Sequence, residues 1–117
     1  MINITIGDQV LTATLVENST TEALLKKLSE GPVSIAMKDY GNMEKVGSFG
    51  FNLPRNDEQI TTEAGDLILY QGNAFVIYYA PNSWNFTRIG KINNVTTDAL
   101  KNILGQGNIV VSISRTA

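Results

Sequence analysis

The 117-residue sequence contains neither cysteine nor histidine. Without cysteine, the chain has no disulfides, no thiol nucleophile and no thiolate metal site. Without histidine, it lacks the side chain used most often as a general base and as a transition-metal ligand. A hydrolytic serine triad is therefore not expected. The residues predict no metal site, no cofactor and no catalytic group.

Charged residues are also scarce, at 17% of the chain, and the formal net charge is −2. No run of basic residues is present to neutralise a row of phosphates, so we expect neither a nucleic-acid partner nor binding to anionic membranes. No apolar stretch of about 20 residues occurs, so no membrane-spanning helix is predicted. Residues Met1–Ile6 lack the features of a signal peptide, so the expected location is the cytoplasm unless an export signal has been removed.

Most apolar residues alternate with polar ones, which is the pattern of half-buried β-strands. Such segments are Ile2–Ile6, Leu11–Leu15, Val33–Met37, Phe86–Ile92 and Ile109–Ile113. Two further strands, Leu67–Tyr70 and Ala74–Ala80, are apolar or aromatic on both faces, which predicts burial on both sides. A chain of this length is expected to form one domain, residues 1–117, with a real hydrophobic core.

Two short helices are predicted among these strands. Ser19 and Glu22 have the spacing of a capping box, and the apolar residues behind them indicate a helix that ends near Gly31. Thr96 begins the second helix, and Gly105 ends it. Seven or eight strands with two short helices favour a closed barrel or a sandwich, because closure removes exposed strand edges.

The remaining segments lack a clear period. Between Glu44 and Glu63 the sequence predicts a short strand around Lys45–Phe51, followed by a long loop. The polar residues Asp39–Asn42 predict a turn, and Pro81–Ser83 predict a loop that leads to Trp84. A tryptophan in such a loop either caps the barrel or offers a binding face.

Five segments, taken in order, resemble the small bacterial cyclophilin-like proteins. They are Val16–Leu25, the Asp-Tyr-x-x-x-Glu-Lys segment within Met37–Lys45, Leu53–Arg55, Ala64–Asn73 and Arg88–Ile92. The resemblance implies a mostly β fold, a closed eight-stranded β-barrel with two short helices. The family's members largely lack an assigned activity. The turn Tyr70–Asn73 is shorter than the Tyr-x-Pro-Trp-Gly-Asn turn of many members.

The true cyclophilins, which are peptidyl-prolyl isomerases, show a more distant similarity. The segment from Phe75 to Ile92 is similar to the cyclophilin segment that carries the pocket tryptophan, with Trp84 as its counterpart. However, the cyclophilin Phe-His-Arg motif is missing, and Arg55 lies in a different motif. The resemblance therefore implies the fold rather than the isomerase activity.

A ligand-binding groove is predicted at the barrel rim. Its candidate residues are Tyr40, Arg55, Tyr70, Trp84 and Arg88. The favoured hypothesis is a non-catalytic module that binds a peptide or a small molecule. One alternative is a divergent prolyl isomerase that uses an arginine as donor to the proline amide. Another is a self-assembling protein, and the oligomeric state is not predicted. The simpler interpretation of both arginines is that they are solvated or ion-paired.

Overall fold

A computed structural model of the chain describes residues 1–116. Within this range it contains nine strands and two helices. The strands are β1 (Ile2–Ile6), β2 (Gln9–Leu15), β3 (Val33–Tyr40), β4 (Glu44–Ser48), β5 (Glu58–Thr61), β6 (Asp66–Tyr70), β7 (Ala74–Tyr78), β8 (Ser83–Ile92) and β9 (Ile109–Arg115). The helices are α1 (Ser19–Leu28), which follows β2, and α2 (Thr97–Leu104), which precedes β9. No helix in this range has the length and apolar character needed to cross a membrane.

Eight of the strands form a closed antiparallel barrel in the order β2-β1-β9-β3-β4-β7-β6-β8. Pairing of β2 with β8 closes it, with Leu15 opposite Gly90. The two strands approach so closely there that a Cβ on Gly90 would lie 2.2 Å from the Thr14 carbonyl oxygen. Glycine at this position therefore permits closure. The closed eight-stranded barrel with two helices confirms the predicted fold.

Strand β8 continues beyond the barrel wall. Its pairing with β6 shifts register, since Leu67 lies opposite Gly90 whereas Ile68 lies opposite Arg88. Such a bulge bends the strand that carries it. The first residues of β8, from Ser83 to Phe86, pair with β5 instead of β6. The two strands together form a flap, β5 and the start of β8, beside the outer face of the barrel.

Alternation along the central strands places two hydrophobic clusters on opposite sides of the barrel wall. The inner cluster fills the barrel with residues from its strands and with Leu24 and Leu100 of the helices. The outer cluster consists of Ile60, Ile68, Val76, Tyr78 and Phe86, with Met43, Val46 and Tyr70 packed against it. Strands β6 and β7 thus contribute to both clusters, which confirms the predicted burial on both faces.

The start of α1 differs from the sequence-based prediction. The N-cap is Asn18, one residue earlier than the predicted Ser19. The Asn18 side chain accepts a hydrogen bond from the Thr21 backbone N–H at 2.9 Å, and the Thr21 hydroxyl accepts one from the Asn18 N–H at 3.2 Å. The Asn18 amide also donates to the Arg88 carbonyl at 3.0 Å. This tertiary contact with β8 explains the choice of cap.

Three further predictions need correction. Strand β4 ends at Ser48, and the predicted long loop contains β5, which forms because β8 supplies its partner. Trp84 lies in β8 and not in a loop. The predicted turn at Asp39 and Tyr40 is the end of β3, where Tyr40 pairs with Glu44. In each case the deciding contact comes from another strand.

Candidate ligand groove

A groove of about 370 Å³ lies on the outer face of the barrel, beside the flap. Strands β4 and β7 form its floor, and the ends of β3 and β6 and the start of β8 form its walls. Its lining consists of Tyr40, Met43, Glu44, Val46, Tyr70, Val76, Tyr78, Asn82, Trp84 and Phe86. The volume is in the range of small-molecule sites.

Exposed aromatic rings stand at the edge of this groove. Trp84 is 60% exposed and Tyr40 is 61% exposed. Tyr70 is half-buried and packs edge-on against Phe86, with ring centroids 6.1 Å apart. Trp84 and Phe86 are two residues apart in β8, so both side chains face the same side of the strand. Residues that a soluble fold normally covers are therefore gathered around a concave surface.

Glu44 supplies a carboxylate on the floor of the groove. The pairing register places it between Tyr40 of β3 and Tyr78 of β7 in one row across three strands. It is only 7% exposed. Burial raises the pKa of the Glu44 carboxyl, and the neighbouring Tyr78 hydroxyl lowers it by a smaller amount. The ion pairs formed within residues 1–116 do not include Glu44.

Tyr78 is the other buried polar group of the floor. It is 1% exposed, and its hydroxyl accepts a hydrogen bond from the Asn82 amide at 3.2 Å. Burial raises the pKa of Tyr78, so its hydroxyl stays neutral and can donate. The groove therefore combines apolar walls with one carboxylate, one phenol and one amide.

Three of the five predicted site residues, Tyr40, Tyr70 and Trp84, lie together in this groove. Its position differs from the prediction, because it lies on the outer face and not at the rim. The reason is the bulge in β8, which carries Trp84 away from the barrel end. The sequence alone gave no indication of that bend.

Arg55 is not among the lining residues. Its Nε donates to the Asp57 carboxylate at 3.0 Å, and the side chain is 56% exposed. The Thr87 hydroxyl donates to the same carboxylate at 2.7 Å. The Asn56 backbone N–H donates to the Thr87 hydroxyl at 2.8 Å. These contacts attach the segment before β5 to β8, so Arg55 takes part in a structural network. The isomerase hypothesis stays a prediction.

Arg88 is also outside the lining. Its guanidinium forms an ion pair with the buried Asp66 carboxylate at 3.1 Å, on the outer face of β6 and β8. Asp66 also accepts a hydrogen bond from the Glu63 backbone N–H at 2.8 Å, so it holds the turn before β6. Both arginines thus have the ion-paired arrangement of the simpler interpretation.

A second cavity, of about 680 Å³, lies at the end of the barrel near α2. Among its lining residues, Tyr79 and Gly107 already bind Asp39. Asp39 pairs with the fully buried Lys45 at 2.8 Å, accepts from the Tyr79 hydroxyl at 3.1 Å and accepts from the Gly107 N–H at 2.7 Å. The Lys45 hydrogen bond holds the pKa of Asp39 below its usual range. We interpret this cluster as a structural closure of the barrel end.

Sequence reasoning missed most of the floor of the groove. Val46, Val76 and Phe86 are predicted only as strand residues, and Glu44 only as part of the Asp-Tyr-x-x-x-Glu-Lys segment. The two-sided apolar pattern of Ala74–Ala80 was the available signal, because a strand buried on both faces needs a covering on its outer side. That pattern does not reveal that the covering is incomplete.

The sequence model of the Cyclophilin-like family matches residues 4–114. The hypothetical protein AF2241 from Archaeoglobus fulgidus, solved in solution, superimposes with a TM-score of 0.70 at 16% identity, over 98% of this chain and 93% of that chain. McbB in complex with tryptophan superimposes with a TM-score of 0.69 at 18% identity, over 100% of this chain. This chain spans 45% of the McbB chain. A comparison with curated proteins finds no match.

At identities this low, the two structures show a shared fold alone. The family match, in contrast, covers nearly all of the sequence and agrees with the resemblance found in its motifs. The chain therefore belongs to the Cyclophilin-like family.

Proposed function

We propose that the chain is a non-catalytic binding module that holds a small molecule, or one side chain of a peptide, in the outer groove. The observation that carries this proposal is the exposure of Trp84 and Tyr40 beside an apolar concavity of about 370 Å³. Burying an exposed aromatic ring contributes a large apolar area to binding. The barrel interior is filled by its own side chains, and in the cavity near α2 Asp39 is already bound by Lys45, Tyr79 and Gly107, so the outer groove is the site we favour for a ligand.

The chemistry available in the groove favours binding over catalysis. Its polar groups are one carboxylate, the phenols and one amide, and its lining includes no serine, threonine, cysteine or lysine to act as a nucleophile. A catalytic module would need at least two groups with complementary roles at the reacting atoms. Binding requires only apolar contact and a polar group that fixes orientation.

The proposal is tested by screening small aromatic and aliphatic compounds and short peptides by NMR. L-tryptophan is included, since McbB was solved in complex with it. Trp84 is the chain's single tryptophan, so its indole N–H resonance and its fluorescence report on the groove alone. We expect to find ligands that shift the Trp84 indole N–H resonance together with the backbone amide resonances of β4 and β7.

Two variants complete the experiment. Tyr40→Ala removes an exposed groove ring and is expected to weaken binding at least about fivefold, equivalent to about 1 kcal/mol. Val10→Ala removes an exposed apolar side chain outside the groove and is expected to leave binding unchanged. The proposal would be contradicted by ligands that shift only the resonances of residues around the cavity at the barrel end. A screen in which no compound shifts the Trp84 resonance would also contradict it.

A further inference from the structure

We infer that the ligand of the outer groove is a small organic cation, an ammonium group carried on an apolar body, with Glu44 as its counter-ion and Tyr40, Tyr70 and Trp84 as the surrounding rings. This inference rests on the proposed function and adds the chemical class of the ligand. It follows from charge complementarity between the groove and its occupant.

The first argument is the isolation of the Glu44 charge. A buried carboxylate normally has a cation or several donors as partners, because leaving water is costly for an ion. The other carboxylates of the barrel wall follow this rule, since Asp39 pairs with Lys45 and Asp66 pairs with Arg88. Glu44 is 7% exposed and takes part in no ion pair within the described residues. The neighbouring Tyr78 hydroxyl gives Glu44 a neutral hydrogen-bond donor but no counter-charge, so a cationic ligand would supply the counter-ion that the described residues do not.

The second argument is the kind of wall that surrounds this charge. Faces of tyrosine and tryptophan rings attract cations through their quadrupoles, and the attraction grows when the cation leaves water. The rings line the same groove as Glu44, and two of them are largely exposed before a ligand binds. A bound ammonium would thus contact ring faces and place its charge toward the carboxylate.

The rest of the lining defines the body of the ligand. Met43, Val46 and Val76 offer only apolar surface, so the part of the ligand beyond the ammonium is expected to be apolar and small. No arginine or lysine belongs to the lining, so the groove does not favour a carboxylate or a phosphate on the ligand. Anionic and neutral ligands leave Glu44 without a counter-ion, and desolvation of that charge then opposes their binding.

The inference is tested with two matched pairs of probes, followed by Trp84 fluorescence. The first pair is choline and its neutral analogue, in which a tert-butyl group replaces the trimethylammonium group. The second pair is benzylamine and benzyl alcohol. Within each pair the shape is nearly the same and the charge differs. We expect at least one cation to bind at least about tenfold more tightly than its neutral partner.

Glu44→Gln is the matching protein variant, because it keeps the shape of the side chain and removes its charge. It is expected to abolish the tenfold preference for the cation, while the affinity for the neutral partner stays the same. Circular dichroism and thermal unfolding confirm that the variant is folded. Glu30→Gln, which removes an exposed carboxylate outside the groove, is expected to keep the preference.

The outcomes separate the two proposals. If neutral and cationic probes bind equally, or if Glu44→Gln keeps the preference, the cation inference is wrong while binding in the groove stands. If none of the four probes changes Trp84 emission, the cation inference is also wrong, and the wider NMR screen decides the proposed function independently.

Discussion

Glu44 and Lys45 are neighbours in β4 that face opposite sides of the barrel wall. Lys45 has a counter-ion within the fold, whereas Glu44 has none among residues 1–116. Lys45 points inward, is fully buried and binds both the Asp39 carboxylate and the Gly107 carbonyl. Glu44 points outward into the groove without a cation beside it. A group whose folded environment opposes its charge reduces stability, and such groups are concentrated at functional sites.

Glu44→Gln is therefore expected to raise the free energy of unfolding at neutral pH. Burial raises the folded-state pKa of Glu44 above its ordinary value of 4.5. The cost of the ionised form is fully present above the folded pKa, and it disappears below the unfolded value, where both states are protonated. The difference in the free energy of unfolding between Glu44→Gln and the wild type should thus shrink as the pH falls toward 4.5. Urea unfolding across this range measures it, and a less stable variant at neutral pH would contradict it.

The sequence predicted individual residues best where their role is local. The strand alternation and the start of the second helix at Thr96 required only neighbouring residues, and the structure agrees with them. Phe75, in the strand predicted to be buried on both faces, is fully buried. The Asn18 cap was missed because its amide is held by Arg88, which is 70 residues further along the chain.

At the scale of elements, β8 determines both the closure of the barrel and the position of the groove. Its later residues join β6 and β2, whereas its first residues bend outward and pair with β5. The bulge behind this bend leaves no periodic signal, since it adds one residue to an otherwise regular strand. For this reason the sequence predicted Tyr40, Tyr70 and Trp84 as candidate site residues but placed them at the barrel rim instead of on the outer face.

Gly90→Ala is expected to destabilise the fold by about 2–3 kcal/mol, because the added Cβ forces β8 away from β2. That Cβ would meet the Thr14 backbone oxygen at 2.2 Å, and a backbone atom in a paired strand cannot rotate away. Gly7→Ala is the comparison, since its Cβ meets nothing within 4 Å. Its cost is the strain of a positive φ, about 1 kcal/mol. If Gly90→Ala and Gly7→Ala lose the same free energy of unfolding in urea, the contact between β8 and β2 at Gly90 tolerates a side chain and this prediction is wrong.

At the scale of the whole molecule, the central strands separate two environments. The wall formed by β6 and β7 has the filled barrel on one side and the partly covered groove on the other. The sequence indicated this arrangement through apolar residues on both faces of those strands. It did not distinguish a strand that is buried by its own chain from one that leaves space for a ligand, because both patterns are apolar. Only the flap, which depends on distant pairing, makes that distinction.

The pH dependence of the free energy of unfolding in acid is the sum of opposing contributions from several carboxyl groups. Hydrogen bonds from Lys45, Thr87 and Lys91 lower the pKa values of Asp39, Asp57 and Glu63, respectively. A lowered pKa gives stability that is present above the unfolded value and is lost as the pH falls through the folded one. Glu44 has the opposite sign. Asp39 and Asp57 are partly buried and both have lowered pKa values, whereas Glu44 alone among the carboxyl groups of residues 1–116 has a raised one, so we expect the free energy of unfolding to fall as the pH drops below about 4.5.

Asp39→Asn identifies the main contributor to this acid response. The variant leaves Lys45 buried without a counter-charge, so its free energy of unfolding at neutral pH should be about 3 kcal/mol lower than that of the wild type. It should also show a shallower loss of stability with acid than the wild type. The Glu63 pair with Lys91 is exposed and screened by salt, so its removal should matter little. Urea unfolding from neutral pH to about pH 3 measures each slope. A wild-type curve that stays flat or rises in acid would show that the Asp39–Lys45 pair does not control barrel stability.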